Sequence, residues 1–120
     1  MEIINWKELL YPYEQAMEEL LLKFNNLDKE CRHLGIYSPI DSVSGRLKKP
    51  ASIRNKLERF GRKMHVEEIE GFLHDVAGVR VICSYKNDVK RLMGLLRRQD
   101  DLEIVQVKNY IENPKKNGYR

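Results

Sequence analysis

The sequence predicts a single domain of mixed α/β class. A long helical pattern fills the first third of the chain, and the last third contains a strand, a helix and a second strand in succession. The composition, with 42% hydrophobic and 33% charged residues over 120 positions, is typical of a soluble globular protein with one modest core. These observations predict helices flanking a small sheet, an α+β arrangement.

The first helix is predicted by an apolar seam with the alternating four- and three-residue steps of a heptad pattern. Asn5 and Glu8 offer a capping box at its start, and Pro12 is expected to kink or restart it. Such a seam packs either on the chain's own core or on another subunit. Because a seam of this length suits contact with a second copy, we expect a homo-oligomer. The seam consists of Trp6, Leu10, Tyr13, Met17, Leu20, Phe24, Leu27, Cys31 and Leu34.

The middle of the chain predicts a linker over residues 36–49, with a short extended stretch at Val43–Leu47. Pro50 suits the first turn of a helix, which is expected to run to about Lys63, and Val66–Leu73 predicts a further short helix. The buried stripe of the Pro50 helix is expected to contain Ile53, Leu57, Phe60 and Met64.

The last third of the chain predicts a strand at Val76–Tyr85, with Val79, Val81 and Cys83 on one face. Asn87 or Asp88 is expected to cap a helix that continues to about Arg98, and Leu102–Ile111 is the next predicted strand. A helix of this length between two strands is a crossover connection, so the two strands are expected to be parallel neighbours.

The charge is concentrated in one stretch of the chain. The net charge is +4, but residues 46–63 hold eight basic residues against one acid, so the rest of the chain is net acidic. This asymmetry indicates a specific polyanion site more than general coating of nucleic acid, and neither DNA nor a membrane is an expected partner. No apolar run approaches the roughly 20 residues of a membrane span, and no signal peptide opens the sequence. Cys31 and Cys83 predict buried reduced thiols in a cytoplasmic protein.

The basic stretch offers the first candidate site. Ser52, Lys56, Arg59 and Lys63 form one stripe of the predicted helix, and Lys48 lies just before its N-terminus, where free N–H groups attract anions. The stripe binds phosphates or is simply a solvated helix face. It is not a P-loop, because no GxxxxGK[ST] motif is present.

Two further residues could act at the same site. Asp75 lies at the entry to the predicted strand, where it either caps a turn or holds Mg²⁺, an ion that needs only one or two protein carboxylates beside phosphate oxygens. Arg80 is expected to face away from Val79 and Val81, and it either pairs with an acid or stacks on a base. The three histidines lack the spacing of a transition-metal site.

Three stretches in order, SPIDSVSGRLKKPASIRNKLERF, HDVAGVRVIC and KNYIENPKKNGYR, resemble consecutive motifs of the RelA/SpoT-type (p)ppGpp synthetase domain. The stretch YPYEQAMEEL is similar to the stand-alone small alarmone synthetases. The resemblance implies a nucleotidyltransferase-like mixed sheet flanked by helices. It implies an enzyme of the stringent response, a GTP pyrophosphokinase, that transfers pyrophosphate from ATP to the 3′-OH of GDP or GTP.

The resemblance also implies roles for individual residues. Arg46 and Arg80 match the pair that sandwiches adenine, and Asp75 matches a catalytic Mg²⁺ ligand. Tyr119 matches the aromatic residue that stacks on guanine, and Lys115 matches a cation near the phosphates of the acceptor, GDP or GTP. The residues that match contacts to the phosphates of ATP are Lys48, Ser52, Lys56 and Arg59.

The resemblance implies that residues 1–120 are the N-terminal part of one synthetase domain, truncated within the guanine-binding motif. A helical region is expected at 1–36 and the ATP-site half of the catalytic core at 37–120. Because the family continues into a catalytic glutamate and C-terminal helices, we expect this chain alone to be inactive.

Several positions depart from the family pattern. Asn109 stands where Asp is common, and Leu21, Asn25 and Ser42 occupy positions that are basic or aromatic in synthetases stimulated by their product.

Two interpretations from other functional classes remain. In the first, the basic helix binds the phosphates of single-stranded RNA. The scarcity of aromatic residues near this helix argues against RNA binding, because the one aromatic residue there, Phe60, is expected to lie in the core. In the second, the chain is an interaction protein built on its first helix.

Overall fold

The computed structural model describes residues 3–108, and these residues form four helices and two strands. In chain order the elements are α1 (Trp6–His33), β1 (Ser42–Leu47), α2 (Pro50–Arg59), α3 (Val66–Phe72), β2 (Ala77–Ile82) and α4 (Lys86–Arg97). The two strands pair in an antiparallel sheet. The predicted class, helices beside a small sheet, is confirmed. No helix in the described part of the chain is long and apolar enough to cross a membrane.

Helix α1 begins where its cap was predicted. The Asn5 side chain accepts a hydrogen bond from the Glu8 backbone N–H at 3.2 Å, which satisfies a donor that the helix itself leaves free. The helix then runs unbroken through Pro12, so the predicted restart is wrong. Leu10 and Tyr13, on either side of the proline, both pack into one apolar cluster, and this packing offsets the hydrogen bond that Pro12 cannot donate.

The apolar seam of α1 packs on the chain's own core. Its first half joins a cluster with α2 and α3, built around Leu10, Ile53, Leu57, Ile69, Leu73 and Val76. Its second half joins a cluster with the sheet and α4, built around Phe24, Ile40 and Leu92. Of the two alternatives for the seam, packing on the own core is therefore confirmed. Self-association stays a prediction, but the seam does not support it, because the seam is covered by the chain's own core.

The sheet has one covered face and one open face. Val43, Val79 and Val81 pack with α1 and α4 on the covered face. On the same face, a Cβ atom added to Gly45 would lie only 2.8 Å from Met17 Sδ and 2.9 Å from Leu21 Cδ1. Glycine at position 45 is thus what lets α1 approach the sheet closely. The open face is the one that can receive a ligand.

Helix α2 ends at Arg59, earlier than the predicted end near Lys63. Gly61 adopts a left-handed conformation (φ +66°) and donates to the Glu58 carbonyl at 3.0 Å, while Arg62 N–H donates to the Leu57 carbonyl at 2.8 Å. These two bonds form a Schellman motif, which terminates a helix. As a result Phe60 is 55% exposed, and its predicted place in the core is wrong.

Helix α4 is capped differently from the prediction. The helix begins at Lys86, so Tyr85 is the N-cap residue and Asp88 is the third helical residue. The Asp88 carboxylate reaches back to accept the Tyr85 N–H at 3.2 Å and also accepts the Tyr37 hydroxyl at 3.0 Å. Asp88 is buried, and its acceptor capacity is used to tie the linker after α1 to the start of α4.

The strand predicted at Leu102–Ile111 is wrong over its described part. Residues 102–108 have no regular secondary structure, and the rest of that segment lies outside the described residues. Ile104, Val105 and Val107 have high β-propensity but are 40%, 88% and 50% exposed. Propensity alone does not form a strand, because a strand is stabilised by a hydrogen-bonded partner and a buried face, and neither is present for 102–108 within the described residues.

Candidate functional site

Two arginines lie diagonally opposite on the open face of the sheet. Arg46 pairs with Gly78, and Arg80 pairs with Ser44, the next residue along that face of β1. Diagonal neighbours on one face are about 7–8 Å apart, which leaves room for a planar ring in contact with a guanidinium on each side. Arg80 faces away from Val79 and Val81, as predicted. Neither arginine has an acidic partner among residues 3–108, so in that part of the chain the predicted alternative of a salt pair for Arg80 is not realised.

At the end of the same strand pair, two lysines converge on one carboxylate. The Lys48 backbone N–H donates to the Val76 carbonyl at 2.7 Å, which extends the strand ladder by one residue and brings Lys48 beside Asp75. Lys48 Nζ and Lys56 Nζ each donate to Asp75 Oδ2 at 2.9 Å. The sheet, α2 and the entry to β2 therefore each contribute one residue to this cluster, which we call the lysine–aspartate cluster.

The electrostatics of the cluster centre on Asp75. Burial raises the pKa of this carboxyl, but the hydrogen bonds from Lys56 and Lys48 outweigh burial and hold the pKa at about 2. Both lysines donate to Oδ2, whereas Oδ1 is buried and has no hydrogen-bond partner among the described residues. A buried carboxylate oxygen without a donor is costly, so Asp75 has acceptor capacity to offer a ligand.

The remaining predicted phosphate contacts, Ser52 and Arg59, lie on the same face of α2 as Lys56. Both are exposed, and neither forms an ion pair or side-chain hydrogen bond within residues 3–108. The N-cap residue of α2, Lys49, makes no capping hydrogen bond through its side chain. The first turn of α2 thus presents backbone N–H groups and a hydroxyl beside the lysine–aspartate cluster, which suits an anion.

The donor set of the site is compatible with Mg²⁺. The described residues contain no group of three or more His, Cys, Asp or Glu side chains that could hold a metal ion. Mg²⁺ is commonly bound by one or two carboxylates together with phosphate oxygens and water. Asp75, whose Oδ1 has no hydrogen-bond partner among the described residues, can supply one such carboxylate.

Some of the predicted residues cannot be placed, and two others were missed. Lys115 and Tyr119, predicted for the acceptor nucleotide, lie outside the described residues, as does Asn109. Ser44 and Gly78 occupy the second diagonal of the open face, between the two arginines. Strand alternation assigns each of them to a face, but their proximity depends on the antiparallel pairing of β1 with β2, which no local sequence pattern predicts.

A groove of about 500 Å³ on another part of the surface holds none of the predicted site residues. It lies between α1 and the turn after α4, and its walls include Leu20, Asn26 and Leu102. Two of its charged groups pair with each other, since Lys23 Nζ donates to Asp101 at 2.8 Å, and Lys23 Nζ also donates to Gln99 at 3.1 Å. The open face of the sheet, whose two arginines form no ion pair within residues 3–108, is the stronger candidate.

Cys31 and Cys83 were predicted to be buried reduced thiols. Both are free thiols, but both are only half-buried, so the predicted burial is wrong.

Comparison with known proteins identifies relatives in sequence and in structure. A family model described as "Region found in RelA / SpoT proteins" matches residues 45–120. The GTP pyrophosphokinase YwaC of Bacillus subtilis (strain 168) is 40% identical over 116 residues, which are 97% of this chain and 55% of that protein.

Two solved structures of the small alarmone synthetase 1 from Bacillus subtilis resemble the fold. The structure bound to its product pppGpp has a TM-score of 0.86 at 35% identity, over 96% of this chain and 59% of that one. The structure bound to AMPCPP has a TM-score of 0.75 at 34% identity, over 84% of this chain and 54% of that one. The chain spans little more than half the length of the curated relatives it matches, 55% and 56% for two of them.

Proposed function

The chain belongs to the RelA/SpoT family, and on that premise we propose that its parent protein is a GTP pyrophosphokinase. The enzyme transfers the pyrophosphoryl group of ATP to the 3′-OH of GDP or GTP. One observation carries the proposal. The lysine–aspartate cluster lies at the end of the two paired strands, and the open face of these strands holds two arginines that have no acidic partner in residues 3–108. Residues 37–120 would contain the ATP half of the catalytic core, and residues 1–36 the helical region that supports it.

The phosphates of ATP would take the place of Asp75 as partners of the lysines. Lys48 and Lys56 are preorganised by a shared carboxylate, so their ammonium groups already lie close together before a nucleotide arrives. A triphosphate offers more negative charge and more acceptor oxygens than one carboxylate. Ser52, Arg59 and the first turn of α2 would complete the set of donors. This exchange explains why a basic cluster contains an acid at its centre.

The adenine base would lie on the open face of the sheet between Arg46 and Arg80. Arginine stacks well on aromatic rings because its guanidinium is planar and weakly hydrated. An acid beside either arginine would compete with stacking, and the described residues provide none. AMPCPP, the ligand of the second related structure, contains an adenine nucleotide, which supports the proposal.

Asp75 would hold Mg²⁺, which would supply positive charge at the site of pyrophosphoryl transfer. The protein's own residues would hold the ATP so that the 3′-oxygen of the acceptor attacks the β-phosphorus in line with the bond to the α-phosphate oxygen. That bond would break, AMP would leave with its electron pair, and the proton of the 3′-OH would pass to solvent water. Lys115 and Tyr119 would position the acceptor, through its phosphates and its guanine ring respectively.

Single-stranded RNA binding is the second candidate, and one observation favours it. Phe60 is 55% exposed at the end of the basic helix α2, so the predicted argument against RNA, that this aromatic residue is buried, does not hold. The Phe60 ring also makes an edge contact with Phe72, at 5.5 Å between centroids, which leaves only part of it free to stack on a base. A series of stacking aromatics is what such modules use, so the nucleotide site remains the better-supported proposal.

The proposal is tested by following a label from ATP. ATP labelled at its γ-phosphate is incubated with the parent protein, Mg²⁺ and GDP, and the nucleotides are then separated. The proposal predicts labelled guanosine tetraphosphate and an equal amount of unlabelled AMP, both abolished in Asp75→Asn. Label recovered only as inorganic phosphate, with ADP as the other product, would show an ATPase and reject the assignment.

A further inference from the structure

The second diagonal of the open face is formed by two small residues. Gly78 lies directly opposite Arg46, and Ser44 lies directly opposite Arg80, so the area between the two arginines contains one hydroxymethyl group and no larger side chain. Side chains in a sheet project roughly perpendicular to it. The space above this diagonal is therefore bounded by the arginines and closed below by the backbone of both strands.

Neither backbone conformation nor packing explains glycine at position 78. The glycines with positive φ in the described part of the chain are Gly35 and Gly61, so position 78 does not require a residue without a Cβ atom. A Cβ atom added to Gly78 would meet no atom within 4 Å, in contrast to Gly45 on the covered face. Glycine weakens a strand, and its presence without a structural reason often marks close approach of a ligand.

We propose that Gly78 and Ser44 form the floor of the base-binding slot, and that their small size determines whether the base of ATP can enter between Arg46 and Arg80. This inference rests on the proposed function, because the slot belongs to the same ATP site. A planar base needs about 3.5 Å to the guanidinium on each side, which uses the whole diagonal separation. A branched side chain at position 78 or 44 fills that space and excludes the ring.

The test compares three valine variants that differ only in their place on the open face. Gly78→Val and Ser44→Val fill the slot. Ser42→Val is the matched control, since Ser42 lies on the same face opposite Ile82, one row beyond the arginine pair. Valine suits a strand, so each variant should fold, and circular dichroism with thermal melting checks this. Calorimetric titration in Mg²⁺ then measures the affinity of each protein for ATP and for inorganic tripolyphosphate, which has no base.

The slot predicts that Gly78→Val and Ser44→Val each weaken ATP binding roughly tenfold or more, because both stacking contacts are lost together. Affinity for tripolyphosphate stays unchanged in all variants, and Ser42→Val binds ATP as the wild type does. Folded slot variants that retain wild-type affinity for ATP would overturn the slot and leave the proposed function intact. A wild-type chain that binds ATP no more tightly than tripolyphosphate would show that the base contributes nothing to binding, and this result would overturn the slot together with its premise.

Discussion

Asp75→Asn removes the negative charge at the centre of the lysine–aspartate cluster while keeping the shape of the side chain. In the folded protein two ammonium groups lie 2.9 Å from Oδ2 and hold the pKa of Asp75 at about 2, against an ordinary value of 3.8. Because the folded pKa is the lower one, the carboxylate stabilises the fold at neutral pH. That contribution is fully present above the ordinary pKa and is lost as the pH falls through about 2.

The size of the effect follows from the pKa difference. Each pKa unit corresponds to about 1.36 kcal/mol, so a shift from 3.8 to about 2 sets a ceiling of roughly 2.4 kcal/mol. The Asp75 side chain is 42% exposed, and solvent screens its ion pairs, so we expect about 1 kcal/mol. Asp75→Asn should lower the free energy of unfolding by that amount at neutral pH and by almost nothing near pH 2.

Urea unfolding of both proteins at a series of pH values, followed by circular dichroism, measures this difference. The control is Asp101→Asn, which breaks the ion pair of Lys23 with a carboxylate that is 67% exposed and should change the unfolding free energy less than Asp75→Asn does. A stability difference between wild type and Asp75→Asn that stays constant from about pH 6 to pH 2 would refute the reasoning, because it would show that the carboxylate's charge is not the source.

The remaining predictions concern packing, helix termination and base recognition. Gly45→Ala should destabilise the chain by about 1–2 kcal/mol in the same urea assay, because the new methyl group would lie 2.8 Å from Met17 Sδ. An unchanged free energy of unfolding would contradict the close approach of α1 to the sheet. Gly61→Ala should cost about 1 kcal/mol because its φ is +66°, and unchanged stability would argue against the Schellman motif. In the parent protein, Arg46→Ala should weaken ATP binding about 2- to 30-fold and leave GDP binding nearly unchanged, and equal losses for both nucleotides would reject adenine stacking.

The sequence predicted the elements whose residues carry a local signal. The Asn5 cap, the apolar seam of α1, the start of α2 at Pro50 and the alternation around Arg80 all appear as predicted, because each depends on neighbouring residues alone. The predicted end of α2 is wrong although Gly61 is a local signal for a C-terminal cap, because the apolar spacing of Phe60 and Met64 is also typical of a longer helix.

The features that were missed or wrong depend on contacts between distant parts of the chain. The pairing of β1 with β2 is antiparallel, and it decides that Arg46 and Arg80 share a face with Ser44 and Gly78. The sequence predicted instead a parallel neighbour at residues 102–111, because helix spacing suggested a crossover connection. The ion pairs of Asp75 with two lysines likewise join residues 19 and 27 positions apart, and no spacing rule reveals them.

The central claim is that the basic stretch forms one specific ATP site and is not a uniformly attractive surface. It is tested most directly by the affinity for ATP, in Mg²⁺ at moderate salt, of Lys56→Ala compared with Arg54→Ala. Both changes remove one positive charge from α2, but Lys56 belongs to the lysine–aspartate cluster, whereas Arg54 is exposed and has no ion pair among residues 3–108. The site predicts a loss of about 10-fold or more for Lys56→Ala and little change for Arg54→Ala. Equal losses in the two variants would contradict it and show a diffuse basic surface of the kind that binds RNA.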